Sequence, residues 1–135
     1  MAVVIDTSAL VALERGGAWD QLEQLDEPAV LPAIVVAELL AGAQLADTPA
    51  RARQRRRRID ALCAVVPVVD FTRETAVHWA DVFAQLSTRG TMIPSNDLAV
   101  AATARQLDAG VLVGPGDEQH FRRIEGLRLH VLGSR

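Results

Sequence analysis

Short apolar runs alternate with longer helical stretches along the whole chain, and this constrains the fold most. The runs are Ala2–Asp6, Ala29–Leu31, Val65–Val69, Val111–Val113 and Leu127–Leu132. Each is too short for a helix and is rich in β-branched residues or Leu, as buried strands are. Strands separated by helices imply a parallel sheet covered on both faces. The expected fold is therefore an α/β, three-layer α/β/α sandwich with a short, mainly parallel five-stranded sheet. At 135 residues the chain suits a single domain over residues 1–135.

Local signals place the helices. Thr7 or Ser8 is expected to cap a helix to about Arg15, stopped by Gly16-Gly17. A short amphipathic helix is expected over Ala18–Leu25. Pro32 suits the first position of a helix running to about Ala46, and another follows Asp47-Thr48-Pro49 to about Ala64. Thr72 caps a helix to about Ser87, with Val77, Ala80, Phe83 and Ala84 as its apolar stripe. Ser95 caps the next, Asn96 to Leu107, and Glu118–Ile124 forms a last short helix.

In such sheets ligands bind beyond the carboxyl ends of the strands. Four acids can reach that edge: Asp6 ends the first strand, Asp97 lies in a helix's first turn, Asp117 follows the Gly114-Pro115-Gly116 turn, and Glu38 lies inside a helix. Glu38 is surrounded by Ile34, Val35, Val36, Ala37, Leu39 and Leu40. A carboxylate there is costly to bury unless it is paired or binds metal. Otherwise it marks a solvent stripe with Gln44 and Asp47. Gly42, four residues on, lets something approach the same face.

All 14 basic residues are Arg; the chain has no Lys. That excludes Schiff-base chemistry and lysine-dependent phosphoryl transfer. Convergent carboxylates without a lysine need bound cations or shared protons. Oxygen ligands favour Mg²⁺ or Mn²⁺, one or two ions, over zinc. Such a pocket suits phosphate esters. A receiver-type signalling domain needs paired acids and a lysine, and a haloacid-dehalogenase phosphatase needs an Asp where Ser8 stands.

Four segments carry a family resemblance: Val4-Ile5-Asp6-Thr7-Ser8-Ala9-Leu10, Val36-Ala37-Glu38-Leu39-Leu40-Ala41-Gly42, Ile93-Pro94-Ser95-Asn96-Asp97-Leu98-Ala99, and Gly116-Asp117-Glu118-Gln119-His120-Phe121. In this order and spacing the chain resembles the PIN-domain ribonucleases, most of all the VapC toxins of bacterial toxin–antitoxin pairs. The resemblance implies a PIN-like fold and a Mg²⁺- or Mn²⁺-dependent endoribonuclease with Asp6, Glu38, Asp97 and Asp117 as catalytic and metal-binding acids. It implies supporting roles for Thr7 or Ser8, a homodimer, and a VapB-type antitoxin that blocks the cleft. The Gly114-Pro115-Gly116 loop departs from a pattern in which relatives often carry Thr and a polar or basic residue.

Asn96 is a further supporting candidate beside Asp97. Within the run Arg55-Arg56-Arg57-Arg58, Arg55 and Arg58 are the candidate RNA-phosphate contacts; four consecutive arginines cannot all face one ligand. His78, His120 and His130 show no metal-ligand spacing, and His120 is read as flanking the core residue Phe121. The net charge of −3 argues against an electrostatic nucleic-acid binder. Setting four site acids aside reverses the sign for the rest of the molecule. The single Cys63, the absence of a basic, apolar leader and the lack of a membrane-length run fit a cytoplasmic protein.

Overall fold

The computed structural model describes residues 2–16, 22 and 25–133. Its strands are β1 (Val3–Ile5), β2 (Ala29–Pro32), β3 (Val68–Val69), β4 (Gly110–Val113) and β5 (Leu129–Val131). They form one sheet in the order β3-β2-β1-β4-β5, and every pairing is parallel. Val4 sits opposite Val30 on one side and Val111 on the other. The three β1 residues are at most 1% exposed, as the centre of a covered sheet requires.

Six helices flank this sheet among the described residues: α1 (Thr7–Gly16), α2 (Ala33–Gln44), α3 (Pro49–Val65), α4 (Arg73–Arg89), α5 (Ser95–Gln106) and α6 (Glu118–Arg122). After β3 the chain crosses to the far side of β1. The strand order therefore reverses between β1 and β4, and a crevice opens there at the strand ends.

Helix α5 is buried without a break from Asp97 to Ala104. Its Ala-rich sequence lets β1, β4 and α4 approach it closely. A helix buried all round belongs at the centre of a domain, and α5 carries Asp97 there. Phe121 and Ile124 seal the core at the end of α6.

Several boundaries differ from expectation for identifiable reasons. Asp6, not Thr7 or Ser8, stands immediately before α1, and its carboxylate accepts the Ser8 N–H at 3.1 Å. Pro32 ends β2 in an extended conformation and precedes α2. Ser95 is the first helical residue after Pro94, with no side-chain cap. Strand β3 shrinks to two residues because α3 runs on to Val65 and Pro67 has no N–H to pair. The Pro67 carbonyl still accepts from Leu31 N at 2.8 Å.

The expected stripe of α4 is also corrected. Val77, Ala80, Phe83 and Ala84 face outward, and Thr75, Val82 and Leu86 are buried instead. Thr75 tolerates burial because its hydroxyl hydrogen-bonds Gln106, and with Thr72 it completes a capping box. The helix expected over Ala18–Leu25 lies outside the described residues, apart from Leu22 and Leu25 on the core.

Candidate active site

The end of β1 delivers Asp6 to the crevice. Its N–H continues the ladder to Leu112 O at 2.9 Å, and the residue is 2% exposed. Its carboxylate also accepts the Ser8 hydroxyl at 2.5 Å. Ser8 Oγ in turn accepts the Gly114 N–H at 3.0 Å. One hydroxyl thus ties the first acid to the end of β4.

Gly114 is required by this closeness. A Cβ there would stand 2.3 Å from the Ser8 carbonyl oxygen. The unexpected glycine loop thus has a local steric cause. Gly42 behaves differently. A Cβ there would meet nothing within 4 Å, so no packed neighbour demands the glycine. What reaches that position is an open groove and the Arg55 guanidinium, which donates to the Gly42 carbonyl at 2.9 Å.

Glu38 is half-buried and accepts the Thr7 hydroxyl at 2.9 Å. It is therefore not part of the solvent stripe of Gln44 and Asp47, both of which are exposed. Asp97 is buried in the first turn of α5. Asp117 immediately precedes α6 and is partly exposed. Asp6, Glu38, Asp97 and Asp117 line one cleft of about 520 Å³, with Thr7, Ser8 and Pro115 on its walls. Asn96 is exposed and is not among the cleft's lining residues.

The cleft's electrostatics follow from burial. Desolvation pushes the Asp6 carboxyl up to about 6; the Ser8 hydrogen bonds oppose this, and the charges of Asp97 and Asp117 add to it. Asp97 is raised by burial and by Asp117, and lowered by His120. Buried carboxylates that repel one another suit a site whose counter-charge is a bound cation.

Sequence reasoning missed His120. Its Nδ1 lies 2.7 Å from Asp97 Oδ2 in a hydrogen bond. His120 is not itself among the cleft's lining residues, but ligand-capable atoms of Asp97, Asp117 and His120 all fall within 4.8 Å of one another. The available signal was the three-residue step from Asp117 to His120, which puts both on one face of a helical turn.

A second groove, of about 660 Å³, shares Thr7, Val11 and Glu38 with the cleft and runs along α3. Arg55 and Arg58 line it; Arg58 pairs with Glu14 at 2.6 Å across the groove. Arg51 and Arg56 instead pair within or beside α3, with Asp47 and Asp60.

The sequence profile of the PIN domain matches residues 3–127, nearly the whole chain and all four acids. This chain belongs to the PIN-domain family. The PIN domain is 26% identical over 128 residues to a protein named ribonuclease VapC2 from Haemophilus influenzae, covering 93% of each chain. It is 29% identical over 133 residues to ribonuclease VapC from Rickettsia bellii, covering 96% of this chain and 95% of that one. Among solved structures it resembles the VapBC2 complex of Rickettsia felis bound to a fragment of promoter DNA. That likeness has a TM-score of 0.85 at 22% identity, covering 97% of this chain and 98% of that one. The all-parallel sheet flanked by helices is the fold of this PIN domain.

Proposed function

We propose that this PIN domain is a Mg²⁺- or Mn²⁺-dependent endoribonuclease and the toxin of a type II toxin–antitoxin pair. The observation that carries the reading is the convergence of Asp6, Glu38, Asp97 and Asp117 from four separate segments on one cleft at the sheet's switch point. The VapC names of its relatives and the VapBC complex among its structural neighbours support RNA as substrate and a VapB-type antitoxin as partner.

Asp6, Asp97 and Asp117, with Glu38 at the rim, would hold the cation. When bound, such an ion polarises a phosphodiester and makes water a nucleophile near neutral pH. Ser8 fixes the Asp6 carboxylate through Oδ2. Thr7 orients Glu38 by bonding one carboxylate oxygen, and the other is left to position water. Water as nucleophile leaves a 5′-phosphate and a 3′-hydroxyl. The shared groove gives the strand a path away from the cleft, with Arg55 and Arg58, which line it, as the phosphate contacts.

Homodimerisation in the cytoplasm is part of the proposal. The exposed Val77 and Phe83 on α4 support it, because apolar side chains left in water gain by being covered.

RNA cleavage by the parent, Asp6→Asn and Asp97→Asn in Mg²⁺ tests the activity. Loss of ligand charge is expected to slow cleavage at least about a hundredfold. Equal cleavage by the variants would sink the assignment, and equal growth arrest by all three would point to a PIN-like module acting through binding. Mapping 5′ ends of cellular RNA after induction identifies the target.

A further inference from the structure

We propose that His120 is a nitrogen ligand to the cation of the acidic cleft, so that this site prefers Mn²⁺ to Mg²⁺. The inference rests on the metal-dependent reading of the cleft and adds a donor that the four acids do not supply.

The position of His120 is set by the backbone. Helix α6 begins directly after Asp117, and the His120 N–H bonds the Asp117 carbonyl at 3.1 Å. The next residue, Phe121, is fully buried and locks the turn against the core. The imidazole is therefore held on the Asp117 side of the helix and reaches Asp97 with Nδ1 at 2.7 Å.

Donor spacing and donor type both bear on the choice of ion. The Asp97, Asp117 and His120 ligand atoms lie within 4.8 Å of one another, and they come from α5, from the residue just before α6 and from α6 itself. Neighbouring ligands round a small octahedral ion stand about 3 Å apart, so Asp97 and His120 are spaced to share one ion once their 2.7 Å hydrogen bond opens and its proton is released to solvent. Mg²⁺ takes oxygen ligands and water almost exclusively, whereas transition ions accept imidazole readily. Replacing one oxygen donor by nitrogen therefore shifts preference toward Mn²⁺. Of the other two histidines, His130 lies 3.9 Å from Glu27 and His78 is on α4, none of whose residues line the cleft, so a histidine signal from the cleft would be that of His120.

Pulsed electron paramagnetic resonance on the full-length protein loaded with Mn²⁺ alone reads nitrogen ligation directly. The parent is expected to show a ¹⁴N coupling, and His120→Asp, which offers oxygen instead, is expected to bind Mn²⁺ without it. Competition titration should show the Mn²⁺-over-Mg²⁺ preference falling on the order of tenfold in that variant. Mn²⁺ bound to the parent with no nitrogen coupling, or a coupling that persists in His120→Asp, overturns the inference and leaves His120 as a hydrogen-bond partner of Asp97. Failure of the parent to bind Mn²⁺ at all overturns the metal-dependent reading itself.

Discussion

Asp6 concentrates the conflict between stability and chemistry in this molecule. Burial holds its carboxyl at about 6, above the ordinary Asp value. The folded state therefore keeps the proton over a range where the unfolded chain has lost it. This contribution is complete below about pH 4 and is lost as pH rises through 6. In metal-free protein at neutral pH the ionised Asp6 costs on the order of 3 kcal/mol. Asp6→Asn keeps an oxygen for the Ser8 N–H and removes the charge. Melting curves in chelator are expected to match the parent near pH 4 and exceed it by roughly 10 °C at pH 7. A variant that melts below the parent at pH 7 would contradict the burial argument.

The two glycines separate at the same scale. Gly114→Ala drives a Cβ into the Ser8 carbonyl, so it should destabilise by at least about 1–3 kcal/mol and displace the Asp6–Ser8 pair. Gly42→Ala meets open space inside a helix and should stabilise by up to ~1 kcal/mol. Chemical denaturation of both variants measures the signs.

At the scale of elements, helix α3 divides its arginines by direction. Arg55 and Arg58 line the groove that leaves Glu38, while Arg51 and Arg56 pair with carboxylates four residues away on α3 or just before it. Replacing both Arg55 and Arg58 by Ala is expected to weaken RNA binding and reduce the salt dependence of the affinity by about 1–2 in slope. Arg56→Ala should leave both nearly unchanged. Filter binding over a salt series distinguishes these outcomes, and equal effects from all three positions would mean a diffuse field. Sequence periodicity could not make this division, because four consecutive arginines point all round the helix. Helix α4 carries a related lesson. Two apolar stripes compete on it, and the one holding polar Thr75 is buried because Gln106 satisfies the hydroxyl.

For the whole molecule, the crossover after β3 decides where chemistry can occur. It opens the crevice between β1 and β4 and brings Asp6 and Asp117 to its edge. Mild overall acidity is then compatible with RNA, since acids are gathered in the cleft and Arg55 and Arg58 line the adjoining groove. The outward Phe83 is 42% exposed and Val77 58%. Light scattering is expected to give twice the chain mass of 14.5 kDa, and Phe83→Glu to lower it toward one copy. A monomeric parent would remove homodimerisation from the proposal.

The sequence by itself determined the alternation of strands and helices, the parallel sheet, and the four acids with their order. Those features depend on local propensity and on apolar runs that can be stable only when buried. It also carried the Thr72 cap and the resemblance to PIN domains. Only the tertiary structure decided that Asp6 caps α1, that Gly114 faces Ser8 across the crevice, which stripe of α4 is covered, and that His120 meets Asp97. All but the first depend on atoms far apart in the chain: Gly114 and Ser8 are separated by 106 residues, and His120 and Asp97 by 23. Contacts of that kind leave no period or spacing in the sequence, because packing brings them together.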